Sequence, residues 1–415
     1  MTAPNQKTTA GTTSGHRPES PTGVPPEQSL ILPDDEYNRR LVAHVHPLDW
    51  TNPEPRERYH LVVIGAGTAG LVTSIVAAGL GAKVALIERH LMGGDCLNVG
   101  CVPSKGIISA ARAWNQGPRE KFGAPPVSGD GDFAQAMERM RRLRAEISHI
   151  DGAQRFTDQG VDVFLGEGRF LDDETVEVGG KKLRFRRAAI CTGARAAAPP
   201  IPGLADVDYR TNESIFSLTE RPARLAVIGA GPIGCEMAQS FAQLGSDVTL
   251  LDLAPQVLSR EDADAAAVVQ EAMVRDGVHL ELEIEVERVE QRGGEKIGHW
   301  VRRSESGEER GTAVAEELLV AVGRKPNVES LGLDSVAVEY DGSGVAVDDR
   351  LRTTNHRIFA AGDVTRSLKF THLADAHAAI VIQNALFFGR AKRSKLVVPW
   401  CTYTSPEVAH VGLYE

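Results

Sequence analysis

A glycine-rich pattern that occurs twice constrains the fold of this chain more than any other feature. The stretch from Gly65 to Gly70 recurs from Gly229 to Gly234, 164 positions later (229 minus 65). Each copy follows an apolar run typical of a strand buried on both faces of a parallel sheet, and each precedes a helical pattern. A second apolar strand then ends in an acid, Glu88 or Asp252. The repeat predicts two β-α-β units with right-handed crossovers.

The glycines in these units suit the binding of a dinucleotide. They allow a tight turn, a close approach of the backbone to a pyrophosphate, and close packing of helix on strand. The N-terminus of the following helix favours the negative pyrophosphate, and the terminal acid can hold a ribose. For either copy alone, a glycine-rich turn is the alternative. Two complete units predict two different dinucleotides, with cofactor-binding residues Gly65, Gly67, Gly70 and Glu88 in the first and Gly229, Gly231, Gly234 and Asp252 in the second.

The acid of the second unit bears on which nicotinamide dinucleotide the chain uses. Asp252 can accept hydrogen bonds from a ribose but would repel a 2′-phosphate, so NAD(H) is expected in preference to NADP(H). Arg260 follows a few residues later and weakens this preference, because its charge would suit the phosphate.

Composition limits the partners and the location of the protein. The chain has 415 residues and 42% apolar residues, enough for two cores. Its formal net charge of -10, without a basic and aromatic cluster, argues against nucleic acid and favours small-molecule partners. We find no apolar run approaching the roughly 18 residues of a membrane span, and no secretory signal. We therefore predict a cytoplasmic protein without a membrane partner.

The segment from Gly93 to Lys105, with sequence GGDCLNVGCVPSK, is the most specific part of the chain. Four residues separate Cys96 from Cys101 at a predicted helix start, so the two sulfurs can meet. The helix dipole and a nearby cation would lower the pKa of a thiolate there. A zinc half-site and two buried thiols are the alternatives. The sequence offers no second Cys or His pair at ligand spacing, so we predict no metal site.

This segment resembles the redox-active disulfide of the class I pyridine nucleotide-disulfide oxidoreductases, with Asp95 and Val102 where that family usually has Thr and Ile. The resemblance covers residues 59–415. It implies an α/β fold of two nested Rossmann-like domains, in which an NAD domain interrupts an FAD domain. It also implies that Cys96 exchanges with the substrate and that Cys101 contacts the flavin. Lys105 matches the lysine beside the flavin and Glu236 its counter-ion, although each is otherwise an ordinary helix charge.

Further stretches resemble landmarks of the same family. They are the turn where the chain leaves the first domain, the turn where it returns, the strand whose aspartate binds the flavin's ribityl chain, and a helix that begins at the flavin. Without the resemblance, Asp363 reads as a turn residue. The cofactor-binding residues implied in this way are Gly94, Lys105, Thr192, Gly193, Gly323, Gly362, Asp363 and Thr371.

The predicted organisation has five parts. Residues 1–58 are a disordered tail and linker. The later part of this region contains a short helix and an extended segment that leads to the first strand. Residues 59–204 form the first part of the FAD domain, 205–325 the NAD(P) domain and 326–398 the return segment of the FAD domain. Residues 399–415 resemble the opening of a C-terminal interface domain.

The resemblance ends where the chain ends, at Glu415. In relatives, an interface domain supplies most of the dimer surface and a His–Glu acid/base pair that acts in the partner subunit. We therefore expect most of that domain to be missing here, although a homodimer is expected for the family. His372, His377 and His410 are not assigned as acid/base groups. We expect Cys191, Cys235 and Cys401 to be buried small hydrophobes.

These features predict an FAD-dependent NAD(P)H oxidoreductase of the mercuric reductase-like branch. Electrons would pass through flavin to a Cys96–Cys101 disulfide and on to a disulfide or metal-ion acceptor. The sequence shows neither a vicinal cysteine pair near its end nor an N-terminal metal-binding cysteine pair, which argues against mercury itself. Dihydrolipoamide dehydrogenase is the enzymatic alternative. A truncated, non-catalytic FAD-binding protein is the alternative from another class.

Overall fold

A computed structural model describes residues 30–115, 131–305 and 307–412. In chain order, its α-helices are α1 (Glu36–Val45), α2 (Thr68–Gly79), α3 (Gly94–Asn98), α4 (Cys101–Trp114), α5 (Phe133–Ile147), α6 (Ala153–Asp158), α7 (Pro232–Gln243), α8 (Ala263–Arg275) and α9 (Thr371–Leu386). The strands are β1 (Tyr59–Ile64), β2 (Val84–Glu88), β3 (Val161–Leu165), β4 (Gly168–Asp172), β5 (Thr175–Val178), β6 (Lys181–Ile190), β7 (Ala194–Ala196), β8 (Arg224–Ile228), β9 (Asp247–Leu251), β10 (Val278–Glu281), β11 (Ile284–Arg292), β12 (Glu295–Ser304), β13 (Gly307–Ala315), β14 (Glu317–Val320), β15 (Arg324–Pro326), β16 (Tyr340–Asp341), β17 (Gly344–Val345), β18 (Ile358–Ala360), β19 (Trp400–Thr402) and β20 (Val408–His410).

The first domain is built on a sheet with strand order β3-β2-β1-β6-β5-β4, in which β18 also pairs with β6. Strands β1, β2, β3, β6 and β18 are parallel, whereas β4 and β5 are antiparallel additions. Strand β1 is buried except at His60, as expected for a central parallel strand covered on both faces.

The second domain repeats this plan on a smaller scale. Its parallel sheet has the order β10-β9-β8-β14, and the antiparallel sheet β11-β12-β13 packs beside it. Trp300 from the antiparallel sheet shares a core with Ala226 and Ile228 of β8. The chain leaves the first domain through β7 and returns through β15, and these two strands pair with each other.

The two repeats correspond residue for residue. Leu61 pairs with Val84 in the first, and Leu225 pairs with Val248 in the second. Helix α7 begins 164 positions after α2 (232 minus 68), the same offset as the glycines. Two nested parallel sheets with equivalent crossovers confirm the predicted α/β fold class.

Residues 30–58 pack on the first domain, whereas we predicted a tail and linker there. The expected short helix is α1, and its Leu41 and Val45 are buried in the first core. The extended stretch after it is held by the Trp50 indole, which donates to the Val163 carbonyl at 3.2 Å, and by Asn52, which bonds the backbone of Leu165. Hydrogen bonds between the Trp50 and Asn52 side chains and the backbone of β3 therefore make this stretch part of the domain. Residues 1–29, for which the sequence predicted disorder, lie outside the described residues.

Helices α4 and α5 join the two domains. Ile107 and Met140 on these helices share one core with Val227 and Phe241 of the second domain. Because α4 begins at Cys101, this packing sets the cysteine segment between the two domains. Within the described ranges, every helix is too short or too polar to cross a bilayer.

Candidate active site

One large cavity lies between the two domains and has a volume of about 2910 Å³. Single ligand pockets usually measure roughly 300–1,000 Å³, so this cavity has room for more than one ligand. It brings together most of the residues predicted from the sequence: Gly65, Gly67, Glu88, Gly94, Cys96, Cys101, Lys105, Thr192, Gly193, Gly229, Gly231, Glu236, Asp252, Gly323, Gly362, Asp363 and Thr371.

The remaining predicted glycines, Gly70 and Gly234, pack helix against strand behind the cavity. A Cβ on Gly70 would lie 1.8 Å from the Gly65 carbonyl oxygen, and one on Gly234 would lie 1.8 Å from the Gly229 oxygen. Gly65 has a φ of +102°, a backbone conformation that favours glycine. These positions exclude side chains for steric reasons, which is why the spacing repeats.

The acid at the end of each second strand braces the glycine loop of its own unit. Glu88 accepts from the backbone N–H of Ala66 at 2.6 Å, and Asp252 accepts from that of Ala230 at 2.5 Å. Burial raises the pKa of Glu88, while the hydrogen bond from Ala66 opposes that shift. Both Glu88 and Asp252 line the cavity, so either acid could contact a ribose bound there.

The two cysteines of the predicted redox pair lie in direct contact as free, half-buried thiols. The hydrogen bond from Cys96 lowers the pKa of Cys101, and so do Thr371, whose hydroxyl oxygen lies 3.2 Å from the Cys101 sulfur, and the Lys105 cation. The same contact with Cys101, together with burial, raises the pKa of Cys96. These two pKa shifts favour a proton on Cys96 and the negative charge on Cys101.

Lys105 and Glu236 form the ion pair that the resemblance implies. The Lys105 Nζ lies 3.1 Å from one Glu236 carboxylate oxygen and 3.4 Å from the other. Lys105 is on α4 of the first domain and Glu236 is on α7 of the second, so the pair bridges the domains beside Cys101. Glu236 also accepts from the backbone N–H of Tyr403 at 2.9 Å.

The exit and return turns are tied together beneath the cavity. The Thr192 hydroxyl donates to the Asn327 carbonyl at 2.6 Å, and the Asn327 amide donates to the Thr192 carbonyl at 2.9 Å. Gly323 has a φ of +132°, and a Cβ there would meet no atom within 4 Å. The side chain of Thr192 thus fixes the turn, while Gly193 and Gly323 line the cavity.

Arg324 is a site residue that sequence reasoning missed. Its guanidinium binds the carboxylate of Asp95, and its Nε lies 3.7 Å from the carboxylate of Asp363. Burial raises the pKa of Asp363, and the Arg324 charge opposes this shift. That Nε is buried and has no hydrogen-bond partner among the described residues. The only signal in the sequence was the acid Asp95 at a position where the family usually has Thr, and it does not reveal which cation pairs with it.

His377 and two of the other cysteines take structural positions, whereas His372 and Cys401 line the cavity. His377 is buried and accepts from the Gly362 backbone N–H at 3.3 Å, and burial lowers its pKa to about 4. Cys191 and Cys235 are buried as expected. Cys401 differs from the prediction, because it is half-buried and lines the cavity. Within the described ranges, we find no group of three or more His, Cys, Asp or Glu side chains placed to hold a metal ion.

The first cradle fits FAD in three respects. The backbone of Gly94 is the nearest group to the glycine loop at Gly67. A Cβ added to Gly94 would lie only 2.6 Å from the Gly67 Cα, so the absence of a side chain at Gly94 keeps this space open. Arg324, whose Nε is a buried donor without a hydrogen-bond partner among the described residues, lines the same cavity. The cation of Lys105 lies next to Cys101 and would suit the negative charge of a reduced flavin.

The chain matches known proteins over most of its described length. A sequence profile of the family described as pyridine nucleotide-disulphide oxidoreductase matches residues 59–379. A mercuric reductase of Bacillus cereus is 38% identical over 366 residues, and the match covers 88% of this chain and 57% of that protein. A second mercuric reductase, from Staphylococcus aureus, is 37% identical over 359 residues, and the match covers 86% of this chain and 65% of that protein. The chain thus spans less than two thirds of these two relatives.

A related enzyme and a solved structure extend the comparison. A dihydrolipoyl dehydrogenase of Bacillus subtilis is 30% identical over 363 residues, which cover 86% of this chain and 77% of that protein. The copper(II) complex of the HOCl-induced flavoprotein disulfide reductase RclA from Escherichia coli has a TM-score of 0.74 at 29% identity. That match covers 86% of this chain and 78% of the RclA chain.

Proposed function

Because the chain belongs to the pyridine nucleotide-disulphide oxidoreductase family, we propose that it is an FAD-dependent reductase that oxidises a nicotinamide dinucleotide and reduces an external acceptor through Cys96 and Cys101. One observation carries the proposal. Two contacting cysteines, of which Cys101 also lies 3.2 Å from the Thr371 hydroxyl oxygen, open into the same cavity as both dinucleotide cradles.

Each cradle has a set of residues suited to its own dinucleotide. Gly65, Gly67, Gly94, Glu88 and Asp363 would hold FAD, with Thr192, Gly193, Gly362, Thr371 and Lys105 beside it and Gly70 packing behind. Gly229, Gly231, Asp252 and Gly323 would hold the nicotinamide dinucleotide, with Gly234 packing behind. FAD supplies a carrier that takes a hydride and passes two electrons to the cysteine disulfide. The protein's part is to bind and orient both dinucleotides and to place a cation, Lys105, beside Cys101.

The reduced cysteine pair can transfer two electrons to a disulfide acceptor. The Cys101 thiolate is in contact with the Cys96 thiol and can accept its proton as Cys96 attacks one acceptor sulfur. That attack breaks the acceptor's S–S bond, forms a mixed disulfide and releases the other acceptor sulfur, which takes the proton. The Cys101 thiolate then attacks Cys96, which closes the Cys96–Cys101 bond and frees the second acceptor sulfur. That sulfur takes a proton from solvent.

The acceptor is a small molecule, a disulfide or a thiophilic metal ion. The named relatives support this class, since two are mercuric reductases and one solved relative is a disulfide reductase seen with copper(II). Two adjacent thiolates would also bind a soft metal ion as substrate. We further propose a homodimer located in the cytoplasm, in keeping with the family.

We propose NADH as the preferred donor. The Asp252 carboxylate is fixed by two backbone N–H groups, from Ala230 and from Ala254 at 2.7 Å, so its negative charge stays at the ribose position. A 2′-phosphate there would meet this charge directly. Arg260 lines the same cavity and reduces the discrimination.

Anaerobic mixing of the flavin-loaded protein with NADH tests the proposal. The visible flavin band should bleach, and a long-wavelength band from the Cys101 thiolate should appear and be lost in Cys101→Ser. The matched variant Cys96→Ser should keep flavin reduction and lose turnover of a disulfide acceptor. A spectrum that NADH leaves unchanged would reject the enzyme and support the non-catalytic FAD-binding alternative.

A second enzymatic function has its own support. Dihydrolipoamide dehydrogenase fits the acid at Asp252 and the similarity to the Bacillus subtilis enzyme. Lipoamide, a glutathione disulfide and mercuric ion should therefore be compared as substrates, with NADH consumption as the common measurement. Rapid turnover of lipoamide alone would favour this alternative.

A further inference from the structure

The segment that follows β19 joins the two domains at the cysteine site. Arg112 on α4 donates to the carbonyls of Tyr403 and Thr404 at 3.1 and 2.9 Å. On the other side, Gln239 on α7 exchanges two hydrogen bonds with the backbone of Ser405, at 2.7 and 2.8 Å. The position of Tyr403 is therefore fixed from both domains.

Tyr403 contacts both members of the Lys105–Glu236 pair. Its backbone N–H donates to the Glu236 carboxylate at 2.9 Å, and its ring centroid lies 4.2 Å from the Lys105 Nζ. Glu236 is nearly buried, with 7% of its side chain exposed, whereas the Lys105 side chain is 38% exposed. Lysine has a flexible four-carbon stem, so the carboxylate alone leaves the ammonium several rotamers. The ring limits those rotamers from the opposite side.

We propose that Tyr403 is a positioning residue, which holds the Lys105 ammonium beside Cys101 through its aromatic face. The inference deepens the proposed function and rests on its assignment of Lys105 and Cys101. An ammonium over an aromatic face is attracted by the ring quadrupole, and this attraction does not need the phenol hydroxyl. Loss of the ring would let the cation move toward solvent and weaken its field at the Cys101 sulfur.

The test measures the reactivity of Cys101 and uses the flavin-loaded full chain carrying Cys96→Ser. Alkylation by iodoacetamide is followed across pH, with peptide mapping to separate Cys101 from the other cysteines. Tyr403→Leu should lower the rate at neutral pH by about two- to fivefold, the size expected for one cation–π contact. Tyr403→Phe keeps the ring and should keep the pH profile. Tyr403→Met serves as a second ring-free variant if the leucine variant does not fold.

A double-mutant cycle decides whether Tyr403 acts through Lys105. In a Lys105→Met background, Tyr403→Leu should produce no further change in the alkylation profile. A profile unchanged by both ring-free variants, or an effect that persists without Lys105, would overturn the inference. No NADH is used, so the result can be read even if NADH fails to reduce the flavin and the proposed function is wrong.

Discussion

The two dinucleotide cradles share one backbone but differ in what covers them. In the first, a Cβ added to Gly67 would meet the Cα of Gly94, at the start of α3, at 3.8 Å. In the second, a Cβ added to the equivalent Gly231 would meet no atom of the described residues within 4 Å. The segment that carries Cys96 therefore lies over the first cradle, while the corresponding space of the second is open.

On the proposed function, this difference distinguishes a resident dinucleotide from an exchanging one. A dinucleotide in the first cradle would lie beneath the cysteine segment, close to the thiols. The open second cradle would suit a donor that enters and leaves in each turnover. The neighbouring segment, and not the shared fold, would then decide between the two uses.

The largest effects are expected where the two cradles are alike. Gly70→Ala and Gly234→Ala should each destabilise the protein by at least about 3 kcal/mol, because each new Cβ would lie 1.8 Å from a backbone oxygen. Gly79→Ala on α2 is the control, since a Cβ there meets no atom within 4 Å. Urea titrations of the three variants provide the measurement. If either Gly70→Ala or Gly234→Ala were as stable as the parent protein, the two repeats would not be equivalent.

The sequence predicted the parts of the molecule that depend on local sterics. Gly70 and Gly234 must lack a side chain for a helix to lie against its own strand, so spacing alone indicated both units. The pairing of Lys105 with Glu236 came from the family resemblance, because 131 positions separate the two residues and no local pattern connects them.

The unpredicted parts depend on contacts between distant segments. Arg324 binds Asp95 across 229 positions, and neither residue has a local pattern that reveals the other. Residues 30–58 look like a linker because their apolar side chains are sparse, yet Leu41 and Val45 complete the core of the first domain. Tyr403 stands in a segment whose role depends on two helices from different domains.

Acid should loosen the first cradle through His377, the imidazole buried behind Gly362. Burial lowers the pKa of His377 to about 4 from an ordinary 6.5. Below pH 6.5 the unfolded chain binds a proton that the folded chain excludes, so stability falls as the pH falls toward about 4 and then levels. His377→Gln should remove about 2 kcal/mol of this loss.

Denaturant titrations at pH 7 and at pH 4.5, with flavin release as the second readout, compare this variant with the parent. Glutamine can still accept from the Gly362 N–H, so its hydrogen bond is retained. If the parent and His377→Gln lose the same stability between pH 7 and pH 4.5, the His377 imidazole is not the source of the acid sensitivity.

The acids that end the second strands should affect different dinucleotides. Asp252→Asn should raise the ratio of kcat/KM for NADPH to that for NADH by about tenfold, or about 1.4 kcal/mol, because a charge at the ribose is removed. Glu88→Gln is the matched variant. It should weaken flavin retention and leave the NADPH-to-NADH ratio of kcat/KM unchanged. Steady-state kinetics with both donors and the flavin content after dialysis measure the two effects. A shift in donor preference from Glu88→Gln would reverse the assignment of the cradles.

The smallest expected effect on stability comes from alanine at Gly67 and Gly231, and it tests whether the cysteine segment covers only the first cradle. Gly67 and Gly231 have nearly the same extended conformation, with φ of -77° and -75°, so alanine is tolerated at both and stability should change by less than about 0.5 kcal/mol. Among the described residues, the new methyl group would meet only the Gly94 Cα at Gly67, at an ordinary contact distance of 3.8 Å, and nothing within 4 Å at Gly231, so a bound pyrophosphate is the group that either methyl would crowd. Gly67→Ala should therefore reduce flavin content, whereas Gly231→Ala should keep flavin and raise the KM for NADH about threefold to tenfold. Flavin loss of equal size in both variants would mean that the open second cradle is not where the exchanging dinucleotide binds, and an unchanged KM in Gly231→Ala would lead to the same conclusion.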